Sequence, residues 1–158
     1  MTDIKVGLYT ITYSGLYYRG PHVPIEELIP KIKSYGYDGI EIESKRPFGF
    51  PPDWNKEKRK EVVELASSYE IEIAAIAGYT NFQSPIMEET ENELMRLWEE
   101  IRLASDLGAP IVRVFAAWKG VTLKDGLATY DFSRHTWKYP TTQLETWQRC
   151  RDCLKEGA

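Results

Sequence analysis

Two glutamates alternate with two isoleucines in the short segment Gly39–Glu43, and their spacing makes them the clearest candidates for chemistry. Side chains of a β-strand alternate between its two faces, so Ile40 and Ile42 would share an apolar face and Glu41 and Glu43 an acidic one. A carboxylate accepts hydrogen bonds from hydroxyl groups and pairs with cations. An acidic strand face therefore favours either ligand binding or buried ion pairs.

The same alternation places two basic residues on the side of the glutamates. Lys5 in the first predicted strand and Arg113 in the fourth should both point inward, away from the helices. An unpaired buried charge is costly, so we expect Lys5, Glu41 and Arg113 to form an internal network.

Glu43 lies later on its strand and has two interpretations. It either contacts a ligand or makes a salt bridge at the rim with Lys45 or Arg46.

Aromatic residues are concentrated in the loops that follow the predicted strands. They either pin these loops onto the rim of the fold or form a platform for the apolar face of a sugar or polyol. His22 and His135 are single histidines in separate loops, where rim positions are the simpler interpretation. The substrate-binding candidates are Tyr9, Tyr13, Glu43, Asn81, Trp118 and His135.

A fourfold repeat of strand, long loop, helix and tight turn positions these candidates. The pattern predicts strands at 4–9, 39–43, 72–77 and 111–117 and helices at about 24–36, 55–69, 89–107 and 142–158, with a loop at 118–140. Asn55 and Thr142 are the expected N-caps of the second and fourth helices, and Gly36 should end the first.

Apolar residues at strand or helix spacing predict which faces are buried. For the strands they are Ile4, Val6, Leu8, Ile40, Ile42, Val112 and Val114. For the helices they are Ile25, Leu28, Ile29, Ile32, Val62, Val63, Ala66, Leu94, Leu97, Trp98, Ile101, Ala104, Leu144, Trp147 and Leu154.

Strands that alternate with helices predict a parallel α/β sheet with right-handed crossovers. The strand-to-helix loops are long and the helix-to-strand turns are short, which is typical of a (β/α)8 TIM barrel with its site at one end. The strands also lack a Gly-x-Gly-x-x-Gly motif. We therefore expect residues 1–158 to form a single domain, the first four β/α units of a TIM barrel. An open flavodoxin-like sheet is the alternative.

Composition narrows the function. The net charge of −4 disfavours nucleic-acid binding, and neither a membrane span nor a signal peptide is visible. Two cysteines without a disulfide framework predict a cytoplasmic protein. Cys150 and Cys153 lie late in the fourth helix, where a redox motif would not be activated. A second pair for a zinc site is missing, so cysteine packing against the core is expected.

The segment 36–43, with 5–9, 107–109 and 112–115, resembles the xylose isomerase-like TIM-barrel superfamily of sugar isomerases and epimerases. The resemblance implies a divalent metal (Mn, Mg, Co or Zn) and proton transfer next to a carbonyl of a small sugar or polyol. The family's metal ligands and catalytic glutamates come mainly from strands five to eight, so no metal or catalytic residue is assigned here. The third and fourth strand ends carry no histidine, which disfavours the DNA-repair branch.

After the fourth helix the repeat predicts a fifth strand, and three hypotheses follow. The chain is an N-terminal portion of a sugar isomerase or epimerase that is inactive alone. Alternatively, it is a half-barrel that assembles as a homodimer or with a partner that supplies the C-terminal half. The third hypothesis is a non-catalytic polyol-binding module.

Overall fold

The computed structural model describes residues 4–117, 120–129 and 141–158. Strands β1 to β4 are Gly7–Tyr9, Gly39–Glu43, Glu72–Ala77 and Val112–Arg113, and the β5–β6 hairpin is Thr122–Lys124 and Leu127–Thr129. Helices α1 to α4 are Ile25–Ser34, Lys56–Ser68, Met87–Leu107 and Gln143–Gly157.

The first four strands form one parallel sheet in the order β1-β2-β3-β4. Tyr9 lies opposite Glu41, Glu43 opposite Ala77, and Ala77 opposite Arg113. The carboxyl ends of the strands therefore meet at one edge, where the loops that precede the helices begin. The predicted α/β class with four parallel β/α units is confirmed.

The helices cover one face of the sheet, and the main core lies between them. Ile40 and Ile42 are fully buried there with the α1 residues Leu28, Ile29 and Ile32. This confirms the predicted side assignment of β2 and therefore places Glu41 and Glu43 on the opposite face.

The two edge strands are shorter than the predicted 4–9 and 111–117, for different local reasons. At β1 the backbone N–H of Val6 donates to the Asp38 carboxylate at 2.7 Å instead of to a strand, and Val6 is 52% exposed. Beyond β4 the Thr80 hydroxyl accepts the Phe115 N–H at 3.1 Å, so a side chain replaces the ladder bond there. Ile4, expected inside, is also exposed.

The predicted apolar stripes of the last two helices are rotated in the structure. On α3, Trp98 and Ile101 are exposed, while Glu100, Leu103 and Leu107 are buried in their place. Spacing fixes the period of a helix but not which flank its neighbours cover.

On α4, Leu144 and Trp147 are 65% and 66% exposed, which corrects their predicted burial. Cys150 and Cys153 instead pack in a cluster with Leu94 and Leu97 of α3, because α4 lies against that helix. Burial raises the pKa of both thiols, so they fit the expected packing role.

The expected loop at 118–140 contains regular structure in its described part. The β5–β6 hairpin turns at Asp125 and Gly126, which both have positive φ angles. Ala128 donates its N–H to the Leu16 carbonyl at 2.5 Å, which ties the hairpin to the loop after β1. Within the described ranges, no helix has the length and apolarity to cross a bilayer.

Asn55 is the N-cap of α2 as predicted, because its side chain accepts the Lys58 N–H at 2.9 Å. Its contribution to stability can be tested by substitution. Asn55→Ala should lower the free energy of unfolding by about 1 kcal/mol in urea titrations. Asn92→Ala, an exposed position inside α3, is the matched control and should change it by less than about 0.5 kcal/mol. Equal losses in both variants would contradict the capping role.

Candidate functional site at the strand ends

The inner face of the sheet carries an ion pair between β2 and β4, the two strands on either side of β3. Arg113 Nε on β4 donates to Glu41 Oε1 on β2 at 2.6 Å, and both side chains are partly buried. This confirms the Glu41–Arg113 part of the predicted network. Lys5 does not join it: its ammonium pairs with Glu72 at 2.6 Å on the exposed surface, because residue 5 precedes β1.

Glu43 is fully buried at the carboxyl end of β2, and its carboxylate is the centre of the site. Oε1 accepts the Tyr79 hydroxyl and lies 3.3 Å from Lys45 Nζ. The backbone N–H of Glu43 donates to the Thr10 hydroxyl at 2.9 Å, which fixes the strand end. Among the described residues, Oε2 has no hydrogen-bond partner although it is buried.

The predicted salt bridge of Glu43 therefore exists, and its partner is Lys45. The other candidate, Arg46, instead donates two hydrogen bonds to the Asp53 carboxylate, from Nε at 2.6 Å and from Nη2 at 2.7 Å. This second pair holds the loop after β2 in place and leaves Lys45 over the site. The unpartnered Oε2 keeps the ligand interpretation of Glu43 open beside the ion pair.

Two tyrosine hydroxyls form a chain of hydrogen bonds that starts at the Glu43 carboxylate and crosses the sheet. The hydroxyl oxygens of Tyr79 and Tyr9 lie 2.8 Å apart. Because Tyr79 donates its proton to Glu43, Tyr9 donates to Tyr79. Burial raises the pKa of Tyr9 to about 12, and burial together with the Glu43 charge raises that of Tyr79 strongly. Both phenols therefore stay protonated at neutral pH.

A buried glutamate on α3 braces the ends of β2 and β3. Glu100 Oε1 accepts the Ser44 hydroxyl at 2.6 Å and the Tyr79 N–H at 3.4 Å. A Cβ at Gly78 would collide with Glu100 Oε2, so the glycine makes room for this carboxylate. Burial raises the Glu100 pKa. In the sequence, the burial of Glu100 could have been predicted from its position between apolar residues of α3.

The structure brings two of the six substrate-binding candidates together, Tyr9 and Glu43. Tyr13 packs against the main core, with Lys31 Nζ 5.0 Å from its ring centre. Asn81 lies beyond Tyr79, and its N–H donates to Glu93 at 3.1 Å. Trp118 and His135 lie outside the described residues.

Asn81 lines a groove of about 580 Å³ beside the Glu43 site, which we call the outer groove. The groove runs between the loop 50–52 and α3, and it reaches Lys45 and Tyr79 at its inner end. Its size falls within the range of small-molecule sites. Lys45 and Tyr79 thus contact the Glu43 carboxylate and also line this groove.

The divalent metal that the resemblance implies needs several converging ligands. Over residues 4–117, 120–129 and 141–158, no three His, Cys, Asp or Glu side chains are grouped so as to hold a metal ion. Glu41 and Glu43 each form an ion pair with a basic side chain of the protein. The described residues do not fit a metal site by themselves, so no step below runs through one.

Comparison with known proteins places the chain in a family. The model of the xylose isomerase-like TIM barrel matches residues 29–158. The chain belongs to that family. Fructoselysine 3-epimerase from Escherichia coli O157:H7 is 30% identical over 105 residues, which are 66% of this chain and 36% of the epimerase. The epimerase of the same name from Shigella flexneri matches equally.

Two solved structures share the fold of this xylose isomerase-like chain at low identity. D-Psicose 3-epimerase, solved with D-fructose, has a TM-score of 0.68 at 11% identity and covers 97% of this chain and 47% of its own. The probable 3-DHS dehydratase AsbF from Bacillus anthracis has a TM-score of 0.63 at 17% identity, with 98% and 48% covered. The chain thus spans about half of these structures and matches the curated epimerases over about a third of their length. The predicted family and TIM-barrel portion are confirmed.

The raised tyrosine pKa values predict how stability depends on pH. Unfolded tyrosines ionise near pH 10, whereas Tyr9 keeps its proton to about pH 12, so its contribution is full below pH 10 and is lost between these values. In Tyr9→Phe, the fall in unfolding free energy between pH 10 and 12 should be shallower than in the unsubstituted chain. Urea titrations across this range measure it.

Tyr18→Phe is the control, because Tyr18 is 60% exposed. Its stability should fall with pH as steeply as that of the unsubstituted chain. An unchanged slope in Tyr9→Phe would contradict the buried phenol network.

Proposed function

We propose that this chain binds a neutral ketose or related polyol on the inner face of its sheet, at the carboxyl ends of β1 to β4. In this proposal it contributes the N-terminal part of the substrate site of a sugar isomerase or epimerase, an enzyme class that moves a proton next to a carbonyl. The unpartnered Oε2 of the buried Glu43 is the observation that carries the proposal.

A buried carboxylate oxygen without a donor is costly, and a ligand hydroxyl would relieve that cost. The surroundings favour hydroxyls, because Tyr9 and Tyr79 are neutral phenols that both donate and accept. Ligands of open α/β and barrel folds commonly bind at the carboxyl ends of the strands, which is where these groups converge.

The charges of the inner face favour a neutral ligand over a sugar phosphate. Glu41 pairs with Arg113 and Glu43 with Lys45, so each carboxylate is matched by one cation. A phosphate would need positive charge beyond these two pairs. Sugar phosphates, which the family resemblance also implies, are therefore less favoured ligands for this chain than neutral sugars.

The relatives support a ketose skeleton for the ligand, whereas its neutrality rests on the paired charges of the inner face alone. Those that match in sequence are named as epimerases of fructoselysine, and a structural neighbour is named as an epimerase of D-psicose and was solved with D-fructose. Turnover needs acid–base groups beyond the described cluster, and we assign none in this chain. Inactivity of the chain alone, a metal requirement and a cytoplasmic location stay predictions.

The edges of the sheet favour association with further strands. Within the described residues, β1 and β4 each pair with one neighbour only, and Ile111 beside β4 is 58% exposed. Unpaired parallel edges invite pairing. A second set of β/α units, from a continuation of the chain or from a second copy, would close the barrel, and light scattering of the purified chain distinguishes monomer from dimer.

Sugar binding by isothermal titration calorimetry tests the proposed function. D-Fructose should bind, and D-fructose 6-phosphate should bind less tightly because Lys45 and Arg113 are already paired with carboxylates. Glu43→Gln should weaken D-fructose binding at least about tenfold, because it removes a charged hydrogen-bond acceptor.

Glu72→Gln is the control, since Glu72 also pairs with a lysine but lies on the exposed surface. It should leave the sugar affinity unchanged. A lower melting temperature of Glu43→Gln with intact sugar binding would reduce Glu43 to a structural ion-pair partner and contradict the proposal.

A further inference from the structure

Lys45 has surroundings that would suit the ammonium group of a ligand. Its Nζ lies 4.7 Å from the ring centre of Tyr17 and 4.2 Å from that of Tyr79. The same atom lies 3.3 Å from Glu43 Oε1 and donates to the Tyr17 hydroxyl at 2.5 Å. Two aromatic rings and a carboxylate around one cation form a typical ammonium-binding arrangement. We call Tyr17, Tyr79 and Glu43 the ammonium cage.

Three different strand ends supply the ammonium cage. Tyr17 lies in the loop after β1, Glu43 ends β2, and Tyr79 follows β3. The cage therefore lies at the carboxyl ends of the strands, next to the outer groove that Lys45 and Tyr79 also line. Any ligand that reaches Glu43 from this side meets Lys45, whose side chain is only 25% exposed.

We propose that Lys45 is a specificity-determining residue whose own ammonium fills the cage and excludes ligand cations from it. The occupied cage admits neutral hydroxyl-bearing ligands to the site and disfavours amino sugars. This selection of sugars rests on the function proposed above. The affinity of the emptied cage for an ammonium group depends only on the contacts of Lys45.

Removal of the Lys45 side chain beyond Cβ would leave the cage intact and empty. Glu43 would then be a buried carboxylate without its cation, which is strongly unfavourable. A small primary ammonium ion would restore the ion pair and the contacts with both rings. The n-propylammonium ion has the three carbons and the nitrogen that Lys45→Ala removes, and n-propanol is its neutral counterpart.

The experiment compares n-propylammonium with n-propanol in thermal unfolding and calorimetry of the full chain. n-Propylammonium should raise the melting temperature of Lys45→Ala saturably and bind it at least about tenfold more tightly than the unsubstituted chain. n-Propanol should do neither. An equal response of both chains to the amine, or an equal effect of amine and alcohol on Lys45→Ala, would overturn the proposal.

Two controls isolate the cage. Lys45→Met fills the space with an apolar side chain and should not gain amine affinity. Lys60→Ala removes an exposed lysine that pairs with Glu64, and it should also stay unresponsive. If Lys45→Ala does not fold unaided, the amine present during refolding should restore the folded yield and the alcohol should not; equal yields would count against the cage.

The sugar arm uses D-fructose and 1-amino-1-deoxy-D-fructose. The unsubstituted chain should prefer D-fructose, and Lys45→Ala should shift the preference toward the amino sugar by at least about tenfold. An unchanged preference would contradict the role of Lys45 in specificity. Amine binding by Lys45→Ala with no sugar binding by either chain would instead contradict the function proposed above and leave the cage established.

Discussion

The rest of the site depends on the burial of one carboxylate, that of Glu43, at the end of a central strand. Burial makes the charge expensive unless donors surround it, and Lys45 and Tyr79 supply them from adjacent loops. The neighbouring Glu41–Arg113 pair balances the other inner-face charge. Over the described residues, the charges of the inner face are thus paired, and Glu43 Oε2 is left without a hydrogen-bond donor.

A residue of the helix layer, Glu100, also helps to position the groups around Glu43. Glu100 on α3 holds the Ser44 hydroxyl and the Tyr79 N–H, so one helix sets the separation of the β2 and β3 ends. Gly78 lacks the Cβ that would occupy the space of this carboxylate. The helices that bury the apolar face of the sheet therefore also position the polar groups on its other side, in a fold shared with D-psicose 3-epimerase.

Regular spacing made part of this arrangement predictable. The central strands β2 and β3 have the predicted bounds, because side-chain alternation and local turns define them, and the Glu41–Arg113 pair follows from that alternation. The prediction that Lys5 joins this network was wrong, because the Asp38 carboxylate accepts the Val6 N–H and β1 begins only at Gly7. The contacts of Lys45 with Tyr17 and Tyr79 could not be predicted, since the loops that make them have no period.

A crystal structure of the chain with D-fructose would show whether Glu43 binds the sugar. We expect a sugar hydroxyl about 3 Å from Glu43 Oε2, with Lys45 Nζ still between the rings of Tyr17 and Tyr79. A sugar bound only in the outer groove, with Oε2 paired to a protein donor instead, would contradict the proposed role of Glu43.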